Sequence, residues 1–122
     1  MRYMLLIYLD EKALSEAERS QCYKDSTQFA HQLNAKGKFL ATAPLQPTSM
    51  ATSVRTREGK PLITDGPFAE TREQLGGFFM VEATDLDEAI TIASKIPAGR
   101  WGTVEIRPVI EVEGLPESPH RE

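Results

Sequence analysis

The chain has 122 residues, 40% of them hydrophobic and 26% charged, with a formal net charge of -4. That length holds one domain with one core, and the apolar share is enough to offset the entropy of ordering, which argues against general disorder. The acidic balance and scattered basic residues argue against a direct nucleic-acid partner and against a polybasic membrane anchor.

The chain opens on Tyr3 to Leu9, with Met4, Leu6 and Tyr8 on one alternating face and Tyr3, Leu5, Ile7 and Leu9 on the other. A strand apolar on both faces is central and covered twice. The chain's own helices can cover one face, and a second copy is the simplest cover for the other. This apolar run is too short to span a membrane and ends at Asp10-Glu11-Lys12 with no small-residue cleavage site after it, so a cytoplasmic location is expected.

Ser15-Glu16-Ala17-Glu18 is a capping-box pattern that starts a helix running to about Lys36, where Gly37 ends it. Its inner stripe is Cys22, Ser26, Phe29, Ala30 and Leu33. Cys22 is the single cysteine, so it has no internal disulfide partner; it is either a buried thiol or a reactive one.

Phe39 to Leu45 reads as a strand broken by Pro44 and Pro47. Ala51 to Arg57 and Lys60 to Thr64 read as a hairpin turning at Glu58-Gly59, and Asp65-Gly66-Pro67 stops it. Thr71-Arg72-Glu73-Gln74 repeats the capping-box pattern and predicts one helical turn before Gly76-Gly77. Phe78 to Glu82 is a strand apolar on both faces. Asp85-Leu86-Asp87-Glu88 opens a second long helix, acidic at its positive end, with Leu86, Ala89, Ile90, Ala93 and Ile96 inward. Pro97 to Gly99 ends that helix, and Thr103 to Val112 is the last strand, with Val104, Ile106 and Ile110 on one face.

Two β-α-β halves with a hairpin between them make an α+β, ferredoxin-like domain. It covers residues 1–112, followed by a flexible tail over 113–122.

The stretch from Asp65-Gly66-Pro67-Phe68 through Thr71-Arg72-Glu73-Gln74-Leu75-Gly76-Gly77 to Phe78-Phe79 resembles the signature of the DGPF-type YCII-related family. Leu45-Gln46-Pro47, Arg55, Asp85-Leu86-Asp87-Glu88-Ala89 and Glu105-Ile106-Arg107-Pro108-Val109 agree with it. The resemblance implies a dimeric α+β barrel, in which two such subunits set their sheets against each other around a cavity. It also implies a kinship with domains sometimes fused to extracytoplasmic-function sigma factors. A helix His and an Asp have been suggested as a catalytic pair in the wider group; here the helix position falls near Ser26, and His31 points away from the inner stripe.

Candidate chemistry centres on Asp65. Beside Gly-Pro at a strand end, it is either a general base or polar anchor at a cavity mouth, or the organiser of a turn. Glu70 or Glu73 would complete a carboxylate pair with it, or Glu73 is a solvated residue. Arg55 and Arg107 would hold an anion by bidentate contact, or pair with Glu105 or Glu82. Phe68, inside the motif, joins them as a ligand contact. Trp101 lines a pocket or covers a helix end. Gly76-Gly77 lacks the lysine and spacing of a phosphate loop. Two histidines, His31 and His120, form no ligand cluster, so neither metal nor cofactor is expected.

Two functions follow. One is a homodimer that binds a small ligand or a regulatory protein. The other is a small cofactor-free isomerase, lyase or hydrolase acting on an organic anion, with Asp65 as base and Arg55 as anion holder.

Overall fold

The computed structural model describes residues 1–116. In chain order they form β1 (Arg2–Leu9), α1 (Glu16–Ala35), β2 (Phe39–Pro44), β3 (Thr52–Arg57), β4 (Lys60–Asp65), β5 (Gln74–Glu82), α2 (Leu86–Ala93) and β6 (Gly102–Pro108). Short 3-10 turns occupy Thr48–Met50 and Pro97–Trp101. β2, β5, β1 and β6 lie side by side in that order, every pairing antiparallel. This is the ferredoxin-like arrangement, with β3 and β4 added as a separate two-stranded arm.

Local chemistry sets the ends of α1. The Ser15 hydroxyl accepts from the Glu18 amide at 3.1 Å, and Glu18 Oε1 accepts from the Ser15 amide at 2.9 Å. Two backbone donors at the helix start are thereby satisfied, worth about 1 kcal/mol for such a cap. At the other end Gly37 takes φ +72°, and the Lys38 and Gly37 amides donate to the carbonyls of Leu33 and Asn34. A residue with a Cβ would strain that left-handed turn.

One face of the sheet carries the core. Tyr3, Leu5 and Ile7 of β1 alternate with Phe79 and Val81 of β5, all buried. Cys22, Phe29 and Leu33 of α1 and Ala89, Ile92 and Ala93 of α2 pack onto them. Phe29 and Phe79 meet edge to face, ring centroids 5.6 Å apart, a geometry worth about 0.5–1.5 kcal/mol beyond simple burial. On the other face Met4, Leu6, Tyr8, Ala41, Ala43, Phe78 and Met80 are only half-buried. No helix of the described residues covers them, which leaves the second apolar face of β1 and β5 uncovered among those residues.

Two glycines mark close backbone approaches. A Cβ on Gly77 would come 2.9 Å from the Ala43 carbonyl oxygen, and one on Gly102 would lie 1.9 Å from that of Tyr8. Beside Gly77 the β1–β5 register shifts, so that Ile7 faces Gly77 while Tyr8 faces Leu75. Gly76 is the additional residue, a β-bulge.

Four expectations are corrected. Arg72 and Glu73 form bends and Gln74 opens β5, with no helical turn: the Thr71 hydroxyl donates to the Glu73 carbonyl, and the Gln74 side chain donates to the Thr71 carbonyl, so the cap geometry never assembles. α2 spans only eight residues, because Pro97 lies close behind it. Its inward stripe uses Ile92, while Leu86 and Ile90 are half exposed at 50% and 48%. β6 ends at Pro108, one last ladder bond running from the Val109 amide to the Arg2 carbonyl at 2.9 Å, and Ile110 lies beyond it, exposed. Of the tail, residues 113–116 are exposed, and 117–122, including His120, lie outside the described residues.

Candidate functional site

A cavity of about 680 Å³ opens between the first half of α1 and the adjoining ends of β1, β2 and β5. Arg19, Cys22, Tyr23, Ser26 and Thr27 form one continuous stripe of α1 facing it, as helical spacing dictates. Ile7, Leu9, Phe79 and Thr42 form the sheet wall, and Leu45, Gln46 and Pro47 border the mouth. Most of the lining is apolar, and the volume falls in the range of small-molecule sites.

Two charged side chains reach this cavity, Glu11 and Arg19. The Glu11 carboxylate is engaged by Thr48, accepting from its amide at 2.8 Å and its hydroxyl at 2.5 Å. This pins the segment after β2 to the segment after β1 and fixes the mouth. Arg19 Nη2 donates to the Glu11 carbonyl at 3.1 Å. Burial pushes the Cys22 thiol above its ordinary value, opposed by a hydrogen bond with Ser26 and by the charges of Arg100 and Arg19. The protonated thiol is a poor nucleophile, so Cys22 serves as wall. Ser26, where the resemblance puts the family's helix His, lines the cavity. A hydroxyl there donates and accepts but does not titrate near neutrality.

The residues proposed from sequence lie elsewhere. Asp65 is exposed at the root of the β3–β4 arm, opposite Thr52. Arg55 is exposed opposite Leu62. Strand alternation puts position 55 on the face of the arm opposite to positions 52 and 65, so one chain does not bring Asp65 and Arg55 together. Phe68 is 84% exposed and Glu70 is exposed. Arg107 lies on the uncovered sheet face, 3.6 Å from the Glu105 carboxylate. Burial, then the neighbouring Glu105 carboxylate, raises the Tyr8 hydroxyl's pKa above its ordinary value, with Arg107 opposing. Glu73 accepts from the Thr103 hydroxyl at 2.8 Å. Trp101 closes the 3-10 turn after α2 and is not part of the cavity lining.

The root of the arm nevertheless adjoins the cavity mouth. Pro47 borders the cavity, the Thr48–Met50 turn follows, and the Ala51 carbonyl accepts from the Gly66 amide at 2.7 Å. The Ser53 hydroxyl donates to the Gly66 carbonyl at 2.7 Å. Cavity and motif are thus joined through four residues.

Sequence reasoning put Ser26 on the inner stripe of α1 and Gln46 in a matching motif, but named neither of them, nor Glu11 or Arg19, as a site residue. Arg19 carries a legible signal, a cation inside the first turn of a helix, where the positive helix end disfavours it.

A ferredoxin-like sheet, one helix-lined cavity and an inserted arm define the architectural class. Within that class the chain belongs to the YCII-related domain family, whose model matches residues 1–113. An uncharacterised protein of Rhizobium meliloti (strain 1021) is 35% identical over 114 residues, covering 89% of this chain and 92% of that protein. Among solved structures, the fold resembles 5-chloro-2-hydroxyhydroquinone dehydrochlorinase (TftG) from Burkholderia phenoliruptrix AC1100, in complex with 2,5-dihydroxybenzoquinone. The TM-score is 0.56 at 16% identity, covering 93% of this chain and 97% of that one.

Proposed function

We propose that this protein is a homodimeric module that binds a small, largely apolar organic molecule in the cavity between α1 and the sheet. The observation carrying this reading is the cavity itself: about 680 Å³, apolar, and walled by five α1 side chains. A wall left unpacked forfeits dispersion contacts that the rest of the core makes, and an occupant restores them. The dimer is supported by the uncovered apolar face of β1 and β5, and by Val54, Leu62, Ile63 and Phe68 exposed along and beside the arm. Exposed apolar area of that kind marks an interaction surface.

The test is a thermal-shift screen of small aromatic and alicyclic compounds against the wild type and Ser26→Phe, which fills the cavity from α1. Stabilisation of the wild type that disappears in the variant is the expected result. Equal stabilisation of both proteins would show that the ligands bind elsewhere.

A second reading, a cofactor-free enzyme acting on a small organic anion, is favoured by the position of Asp65 at the root of an arm that starts at the cavity mouth. In this reading Asp65 and Glu70 supply the base, and Arg55, Arg107 and Phe68 contact the substrate. Their separation in one chain requires a second copy to bring them together. The structural neighbour acts as a dehydrochlorinase and holds a small flat quinone, a ligand of a size this cavity accommodates.

A further inference from the structure

The charge distribution inside the cavity points to the class of molecule it takes. Of its two charged side chains, Glu11 is turned to Thr48 and has both carboxylate oxygens engaged. Arg19 forms no ion pair with a carboxylate among the described residues. It makes one hydrogen bond, from Nη2 to the Glu11 carbonyl, out of the five donors a guanidinium carries. Half-buried at the cavity wall, it presents a planar fork with donors to spare.

Nor does helix stability account for Arg19. It follows the acidic first-turn residues Glu16 and Glu18 of α1, at the end where a positive charge is disfavoured by roughly 0.3–1 kcal/mol. A neutral donor would serve the Glu11 carbonyl as well. The charge therefore costs the fold something and is left with one acceptor. Tyr23, Ser26, Thr27 and Thr42 also line the cavity, the two threonine hydroxyls donating to the Tyr23 and Phe78 carbonyls, while Leu9, Leu14 and Phe79 supply apolar wall.

We infer that Arg19 anchors the acidic group of a flat organic anion, a carboxylate or acidic phenol on a ring, whose apolar body lies between α1 and the β1–β5 wall. The inference rests on the cavity reading above and adds the ligand's charge and the residue that selects it. Bidentate contact to a carboxylate is what the guanidinium fork does best, and the apolar lining discriminates against small inorganic anions.

Calorimetric titration with two matched pairs, benzoate against benzamide and 2-naphthoate against 2-naphthamide, tests it. Each pair keeps shape and changes charge. The wild type is expected to bind at least one carboxylate about tenfold or more tighter than its amide, the size of one charged hydrogen bond. Arg19→Gln should bring that pair to parity, and Arg19→Lys, which keeps the charge but loses the fork, should keep only part of the preference; a merely structural arginine would produce neither result. Parity in the wild type, an unchanged preference in R19Q, or no binding of either carboxylate overturns the inference. The cavity reading is judged separately with Ser26→Phe: binding abolished there upholds it even when Arg19 proves irrelevant, and binding undiminished there sinks it.

Discussion

Glu88 shows how a single half-buried side chain can organise a junction. Its Oε1 accepts from the Thr84 amide at 2.8 Å and from Lys38 Nζ at 2.9 Å, tying the start of α2 to the residue before β2. The backbone hydrogen bond from Thr84, followed by the bond from Lys38, holds its pKa below the ordinary carboxylate value of 4.5. A depressed folded-state pKa means that the unfolded chain binds the proton more readily. The stabilisation is therefore complete above 4.5 and disappears as pH falls below it, through the lower folded-state value. Glu88→Gln is expected to melt below the wild type at pH 7, and the gap should narrow by pH 3 in paired thermal melts. A constant gap would mean that the carboxylate's charge is irrelevant. The same scale explains why the cavity charges escaped sequence reading. Glu11 carries no local signal and Arg19 only its place near a positive helix end, and only the hydrogen bond from Arg19 to the Glu11 carbonyl and the Thr48 clasp bring them together.

At the scale of elements, what the sequence disclosed was whatever local chemistry determines. Ser15 and Glu18 announced α1, Gly37 announced its end, and Glu58-Gly59 announced the arm's turn, with φ of 51° and 78° at those two residues. The failures share one cause, competition from nearby structure. The Thr71 pattern matched a helix cap, but its hydroxyl turned to the Glu73 carbonyl as the chain entered β5. Leu86 and Ile90 fit an inward stripe, yet in the eight-residue α2 the buried face is taken by Ala89, Ile92 and Ala93. The arm was legible as a hairpin; its isolation from the sheet was not, since no local signal reports what a hairpin fails to touch. Its two ends meet where the Ala51 carbonyl accepts from Gly66, so it can be excised at little expense to the body. Replacing residues 53–64 with a two-glycine link should leave the far-UV circular dichroism of the helices intact. Loss of that signal would place the arm within the folding core.

The whole molecule is a sheet finished on one side only. Its core face matches the alternation read in β1 and β5, and its other face keeps Leu6, Phe78 and Met80 half-buried beside Tyr8. Burying such side chains stabilises by about 1.5–3 kcal/mol each when complete, which is the driving force offered to a second copy. Leu6→Glu places a charge in the middle of that face while leaving the helix side untouched. Light scattering at micromolar concentration should find a dimer in the wild type and a monomer in Leu6→Glu. A monomeric wild type would remove the dimer from the proposal, and a dimeric Leu6→Glu would move the interface elsewhere, the arm being the next surface to test.

The bulge at Gly76 has a consequence for how this architecture tolerates change. Because side chains alternate along a strand, inserting or deleting one residue ordinarily turns a strand inside out. Here the odd residue is already taken up between Leu75 and Gly77, so the alternation before Gly76 and the alternation after it run in separate frames. Gly76 provides the slack, and Gly77 provides clearance from the Ala43 carbonyl. The loop that carries the Asp65 motif can therefore lengthen or shorten by one residue while Phe79 and Val81 keep facing the core.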